Sequence, residues 1–120
     1  GGRSSPALRR TAEYGDGFVT VWDEPDEVAE YRDRLLHAWS DYDREADPEV
    51  AIMRAFHVGH DTERDTSYRF MGDPADIVGD VEDYVDAGVT RVILDFYSSD
   101  VDDQVEQLER FGDEVLPELP

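Results

Sequence analysis

An α/β fold with parallel strands is predicted by three features of the sequence. Helical and strand periodicities alternate along all 120 residues. The run Val92-Ile93-Leu94 is apolar on consecutive positions, as in a strand covered on both faces. The stretch before it, Gly72-Asp73-Pro74 through Ala87-Gly88, reads as a capped helix with a glycine stop. A helix feeding a two-sided strand is half of a βαβ unit.

Each element has its own local warrant. Ser5 is the expected N-cap of a short first helix, with Pro6 in its first turn and Leu8 and Ala12 on one face. Gly15 ends it. Gly17-Phe18-Val19-Thr20-Val21-Trp22 is the first strand segment. Asp23-Glu24-Pro25-Asp26 opens the longest helix, where Val28, Tyr31, Leu35, Trp39 and Tyr42 recur every three or four residues. Acidic residues crowd its first turn, where the helix dipole favours them.

Asp47-Pro48 breaks that helix, and Val50 to Val58 form the second strand segment. A polar stretch from Gly59 to Met71 follows. In the next helix Asp73 is the cap, and Ile77, Val81, Tyr84 and Val85 form the apolar side. The third strand runs from Val89 to Phe96. The last helix starts near Asp100, places Val101, Val105, Leu108, Phe111 and Val115 on one stripe, and stops at Pro117.

Composition narrows the function. The net charge is -20, and all 11 basic residues are Arg. Such a surface repels phosphate backbones and anionic lipid, which argues against nucleic-acid and membrane-surface roles. Disorder is the first bland account of so much acid, but 11% aromatics and regular apolar spacing oppose it. Carboxylates that hold water while salt screens their repulsion fit a cytoplasmic protein of a halophile. There is no Cys, hence no disulfide framework, and no apolar run approaches the ~20 residues of a membrane span. The chain begins Gly1-Gly2 instead of Met, so either its start is absent or the pair is a cloning scar.

Strand starts near Gly17, Val50 and Arg91 give a recurring unit. A (β/α)8 barrel of ~250 residues allots roughly 31 to each βα unit, so these units are barrel-sized with modest insertions. Three strands cannot close a barrel, and a three-stranded sheet leaves two unguarded edges. Residues 1–120 are therefore expected to be one partial domain: the C-terminal three βα units of a (β/α)8 barrel. Another polypeptide would take the place of the absent strands.

Three segments together resemble the C-terminal part of the luciferase-like flavin- and deazaflavin-dependent monooxygenase family. Gly1-Gly2 through Gly17-Phe18 looks like the family's glycine pair, its Ala/Arg helix and its Gly-Asp-Gly-aromatic entry into a strand. Gly72-Asp73-Pro74 through Val89 is similar to the Gly-x-Pro helix before the last strand. Phe111 to Leu119, with Glu114-Val115-Leu116-Pro117-Glu118-Leu119, resembles the common ending. The resemblance covers nearly the whole chain but only about the last three barrel units.

The resemblance implies an oxidoreductase binding FMN or a deazaflavin (coenzyme F-420) at the strand C-termini and acting on a small organic substrate. It places the cofactor phosphate near Gly1, Gly2, Arg3 and Ser4. Physical chemistry agrees, since glycines permit close approach and helix N-termini favour anions. The family's N-terminal strands, which carry much of the cofactor and substrate contact, have no counterpart here. The chain alone is thus expected to lack the full active site, and no catalytic residue is assigned. Two rival readings are a catalytically silent truncated remnant and a small acidic α/β interaction module. The expected partners are the missing N-terminal barrel half or a second copy.

Single residues admit two readings each. Gly1 to Ser4 are a phosphate cradle or a plain turn. Asp16-Gly17 is a turn into the strand or a ligand site. Arg54 and Asp95, mid-strand on expected neighbours, either pair with each other or line the cofactor pocket; an unpaired buried ion costs ~3–5 kcal/mol. His57 ends its strand where barrel chemistry occurs, or simply packs. His37 and His60 carry no assignment, and the three His lack metal-ligand spacing. Tyr68, Phe70 and Met71 form an active-site lid or pack on the neighbouring helix.

Overall fold

The structure, a computed structural model, describes residues 3–60 and 69–120. Among these residues four α-helices and four strands follow one another: α1 (Ser5–Tyr14), β1 (Gly17–Val21), α2 (Pro25–Trp39), β2 (Glu49–Val58), β3 (Met71–Gly72), α3 (Pro74–Asp86), β4 (Arg91–Phe96) and α4 (Val101–Arg110). A π-helical turn (Phe111–Val115) and a 3-10 turn (Leu116–Glu118) follow α4. The predicted α/β alternation is present, with β3 added where the stretch read as polar loop, Gly59 to Met71, meets the next helix segment.

β1 runs parallel to β2, with Gly17 beside Glu49 and Val21 beside Met53. β3 is parallel to the end of β2, with His57 beside Met71, and β4 also pairs with β2. β2 is thus the strand on which the others assemble, and seven of its ten residues are buried. Its interior could not be exposed without losing the apolar burial that drives folding. β4 differs from expectation. Val92, Ile93 and Leu94 are only half-buried, because among the described residues β4 has β2 as its one ladder partner.

The chain divides into two compact units, Gly1–Met53 with Tyr84–Ile93 and Arg54–Asp83 with Leu94–Pro120. In the first, α1 and α2 close a core of Leu8, Ala12, Tyr31, Leu35 and Trp39, with Phe18 set edge-on to Tyr31 at 4.6 Å. Arg44 caps the end of α1, donating to the carbonyls of Ala12 (2.8 Å) and Gly15 (2.6 Å) while its guanidinium covers the Trp39 ring at 4.1 Å. A cation there complements the negative helix end. The N-cap of α1 is Ser4, not Ser5: its Oγ accepts from the Ala7 amide at 3.3 Å.

In the second unit Phe56 meets Phe96 and Phe111 at 5.7 and 5.3 Å. The expected stripe is met only at its far end, where Phe111 packs on Phe56 and Val115 is fully buried; α4 itself departs from it. Val101, Val105 and Leu108 are 69%, 51% and 56% exposed, and the buried residue of the helix is Gln107. The cause is a polar anchor. Gln107 Oε1 accepts from the Val58 amide at 2.6 Å and its Nε2 donates to the Val58 carbonyl at 3.2 Å, satisfying backbone groups at the end of β2. Arg110 Nη1 adds a second donor to that carbonyl at 2.9 Å. The Val101, Val105 and Leu108 part of the stripe consequently faces outward.

Candidate functional site

The residues around Arg3 belong to the first unit. Two helices and a strand build a cleft there of about 520 Å³. α1 contributes Ala7, Arg10 and Thr11; β1 contributes its whole length; Asp23 and Tyr31 close the far side. β1 can come this close to β2 because Gly17 has no side chain: a methyl there would collide with the carbonyl oxygen of Glu49. Asp16 makes the entry turn, its carbonyl accepting from the Glu49 amide at 2.9 Å. Asp16-Gly17 is therefore a structural turn.

Arg3 lies on the rim. Its guanidinium pairs with the carboxylate of Asp23 and, at 3.6 Å, with Glu27, while its carbonyl accepts from Arg34 at 3.1 Å. Asp23 is held from a second side, its carbonyl receiving the buried Tyr84 hydroxyl at 2.6 Å. Arg10 is exposed and brings a second cation to the same cleft. Thr20 Oγ1 is buried there without a hydrogen-bond partner, a polar atom suited to an oxygen-bearing ligand. Burial raises the pKa of the Tyr31 phenol, with Arg34 and Arg3 pulling the other way, so Tyr31 remains a neutral hydroxyl.

Of the four expected cofactor residues, Gly1 and Gly2 lie outside the described residues. Arg3 lines the cleft, and Ser4 caps α1. Arg10, Thr11 and Thr20 escaped the sequence reading. Only Thr20 carried a possible signal, a polar residue at an inward position of an otherwise apolar strand.

The second unit holds the other expected residues. Arg54 is 1% exposed. Asp95 is exposed and its Oδ1 accepts from the Phe96 amide at 2.8 Å, so the Arg54–Asp95 pairing does not occur; alternation along β4 turns Asp95 outward. His57 at the end of β2 has company that sequence did not reveal. Its Nε2 is 3.5 Å from Asp103, and its ring lies edge-on to His60 (5.4 Å) and Tyr97 (5.9 Å). Phe70 and Met71 are buried, which makes them packing residues and not a lid; Tyr68 lies outside the described residues. Among the described residues, no group of three or more acidic or His side chains is placed to hold a metal ion. None of their helices is long and apolar enough to cross a membrane.

No family model and no curated protein matches the sequence. Among solved structures, the chain is similar to an F420-dependent secondary alcohol dehydrogenase in complex with an F420-acetone adduct. The TM-score is 0.73 at 15% identity, over 96% of this chain and 46% of that one. The chain thus spans under half the length of its structural neighbour. At this identity the likeness is one of fold: a parallel α/β arrangement with flanking helices, matching part of a TIM-barrel-like structure.

Proposed function

We propose that residues 1–120 are the closing portion of a deazaflavin-dependent oxidoreductase of the luciferase-like family, one partial domain that binds the cofactor phosphate and completes a (β/α)8 barrel. The observation that carries this reading is the fold likeness over 96% of the chain to a protein described with a bound F420 adduct. That description favours a deazaflavin over FMN. The deazaflavin supplies hydride transfer; this chain supplies positioning.

The cleft beside β1 fits such a group. Arg3 and Arg10 offer cations, and the buried Thr20 hydroxyl lacks a partner that a phosphate oxygen would provide. Ser4, the N-cap of α1, would add a donor at a helix N-terminus, and Gly1 and Gly2, which precede it in the sequence, belong to the same proposed cradle. Two surfaces support an incomplete barrel. Among the described residues β1 has a ladder partner on β2 alone, with Val19 and Val21 half-exposed, and α4 presents its apolar stripe to solvent. The rest of a barrel would cover both kinds of surface. The oxygen-using monooxygenase branch of the family has no specific support, and a small organic substrate is inferred from the reaction class alone.

The test is co-expression of this chain, in concentrated salt, with the polypeptide encoded directly upstream of it. A complex that co-purifies and retains the deazaflavin absorbance band through gel filtration is the expected result. Alone, the chain is expected to self-associate through α4 and lose the cofactor. A monodisperse, cooperatively melting monomer of the chain by itself would favour the interaction-module reading instead.

A further inference from the structure

We propose that the outward face of α4 is a docking surface for an amphipathic helix of another polypeptide, one whose apolar seam is flanked by arginine or lysine. Two rows build the face. Val101, Val105 and Leu108 are spaced by four and then three residues, and all three are exposed. Each is followed by an acid, so Asp102, Glu106 and Glu109 repeat the same spacing, and these too are exposed. At 3.6 residues per turn the acids lie about 100° further round the helix. An apolar seam therefore runs beside a ridge of carboxylates.

The seam is exposed because the other side of α4 is fixed. Gln107 and Arg110 hold the Val58 backbone, and Asp103 lies 3.5 Å from His57 Nε2. Just beyond the helix, Phe111 packs on Phe56 and Val115 is wholly buried. α4 cannot roll its valines inward without breaking these contacts. The acids divide in the same way. Asp103 faces His57 and Glu114 takes Arg110 at 2.7 Å, whereas Asp102, Glu106 and Glu109 make no ion pair among the described residues. Arg110 is the single basic residue of α4, and it is already committed to Val58 and Glu114.

Spacing and charge together specify the occupant. A four-three apolar repeat lays one helix along another, and the charges beside the seam choose the partner. An anionic membrane surface would meet the carboxylate ridge and be repelled. A second copy would bring three more carboxylates and an arginine already engaged, so copies meet through this face only when salt screens them. A helix with arginines beside its seam satisfies both rows at once, seam on seam and guanidinium on carboxylate. Which polypeptide carries that helix rests on the barrel reading, under which it is the one that supplies the missing strands.

The experiment measures binding of two labelled synthetic helices to the full chain by fluorescence anisotropy. The chain is kept dilute enough to remain monomeric, at the lowest salt in which circular dichroism shows it folded. Both peptides carry leucine at the four-three positions; one has arginine beside the seam, the other glutamate. The arginine peptide is expected to bind about tenfold more tightly, a preference that shrinks in molar salt. Val105→Ser with Leu108→Ser, at exposed positions outside the core, should abolish binding. Asp102→Asn with Glu106→Gln and Glu109→Gln should erase the preference while leaving both peptides bound. No binding of the arginine peptide, equal affinity for the two, or binding that persists in the double serine variant would each overturn the proposal. Self-association at the same low salt, tight enough in sedimentation to exclude the arginine peptide, would assign the face to a second copy and overturn it as well. The co-expression test is read separately. A deazaflavin-retaining complex that forms equally well with the double serine variant keeps the barrel reading and removes the docking surface. Peptide discrimination without any such complex does the reverse.

Discussion

Helix α2 buries Val28, Tyr31, Leu35 and Trp39, whereas α4 leaves Val101, Val105 and Leu108 in solvent and buries Gln107. Both sequences repeat apolar residues every three or four positions. In the first unit α1 offers Leu8 and Ala12 to the α2 stripe, so the stripe is covered within the chain. In the second unit α4 is oriented by hydrogen bonds to Val58, and those override its apolar periodicity. Periodicity tells that a face will seek cover; it does not tell where the cover comes from.

The sharpest way to break this comparison is a pair of leucines. Leu35→Ala opens a cavity in a fully buried core and should cost about 2–5 kcal/mol. Leu108→Ala on the exposed stripe should stay within about 0.5 kcal/mol in dilute chain, below the concentration at which it self-associates through α4. Urea titration of both variants in concentrated salt reads the difference. A Leu108→Ala loss as large as that of Leu35→Ala would mean that the α4 face is covered in solution by another chain.

Backbone proximity gives the next largest contrast. A Cβ at Gly17 meets the Glu49 carbonyl, which the parallel ladder prevents from moving, so Gly17→Ala should cost about 1–3 kcal/mol. A Cβ at Gly79, inside α3, meets nothing within 4 Å; Gly79→Ala should gain about 1 kcal/mol from helix propensity. Melting temperatures that move in opposite directions confirm the pair, and a common direction refutes it.

The anchor of α4 can be tested directly. Gln107→Leu leaves the Val58 amide buried without its acceptor, a loss of about 1–3 kcal/mol, while Arg110 still serves the carbonyl. Hydrogen exchange at Val58 should accelerate more than at the ladder amides of β2 near β1. Unchanged protection at Val58 would show that Gln107 does not hold the helix in place.

Much of this was legible in the sequence. Pro25, Pro74 and Asp100 mark helix starts correctly, and Gly88 takes the left-handed backbone that its place after α3 suggested, with φ 98°. β3 was illegible because two residues cannot display a period. The outward turn of α4 was missed because Gln107 reads as a surface residue; its value lies in two bonds to a strand 49 positions away. Among site residues, Arg3 stood out by resemblance, but its engagement with Asp23, the second cation Arg10 and the buried Thr20 hydroxyl depend on the approach of α1 to β1. The positive φ of Trp22, 64°, has no sequence signature at all, since Trp is among the last residues one would place there.

The smallest effect concerns the end of α4, again in the second unit. Arg110 Nε donates to Glu114 at 2.7 Å, and this hydrogen bond, with the Arg110 charge behind it, lowers the pKa of the Glu114 carboxyl. A carboxyl that titrates lower in the folded than in the unfolded chain adds stability above the ordinary glutamate range and loses it as the pH falls through the lowered value. The carbon-13 carboxyl resonance of Glu114 should therefore titrate below the usual glutamate range, and return to it in Arg110→Ala. Salt separates the two causes. At 1 M the screening length is about 3 Å, so the Coulombic part fades while a direct hydrogen bond persists. A depression that survives molar salt assigns the effect to the bond; one that vanishes assigns it to charge alone, and removes this pair from whatever steadies the outward-facing helix.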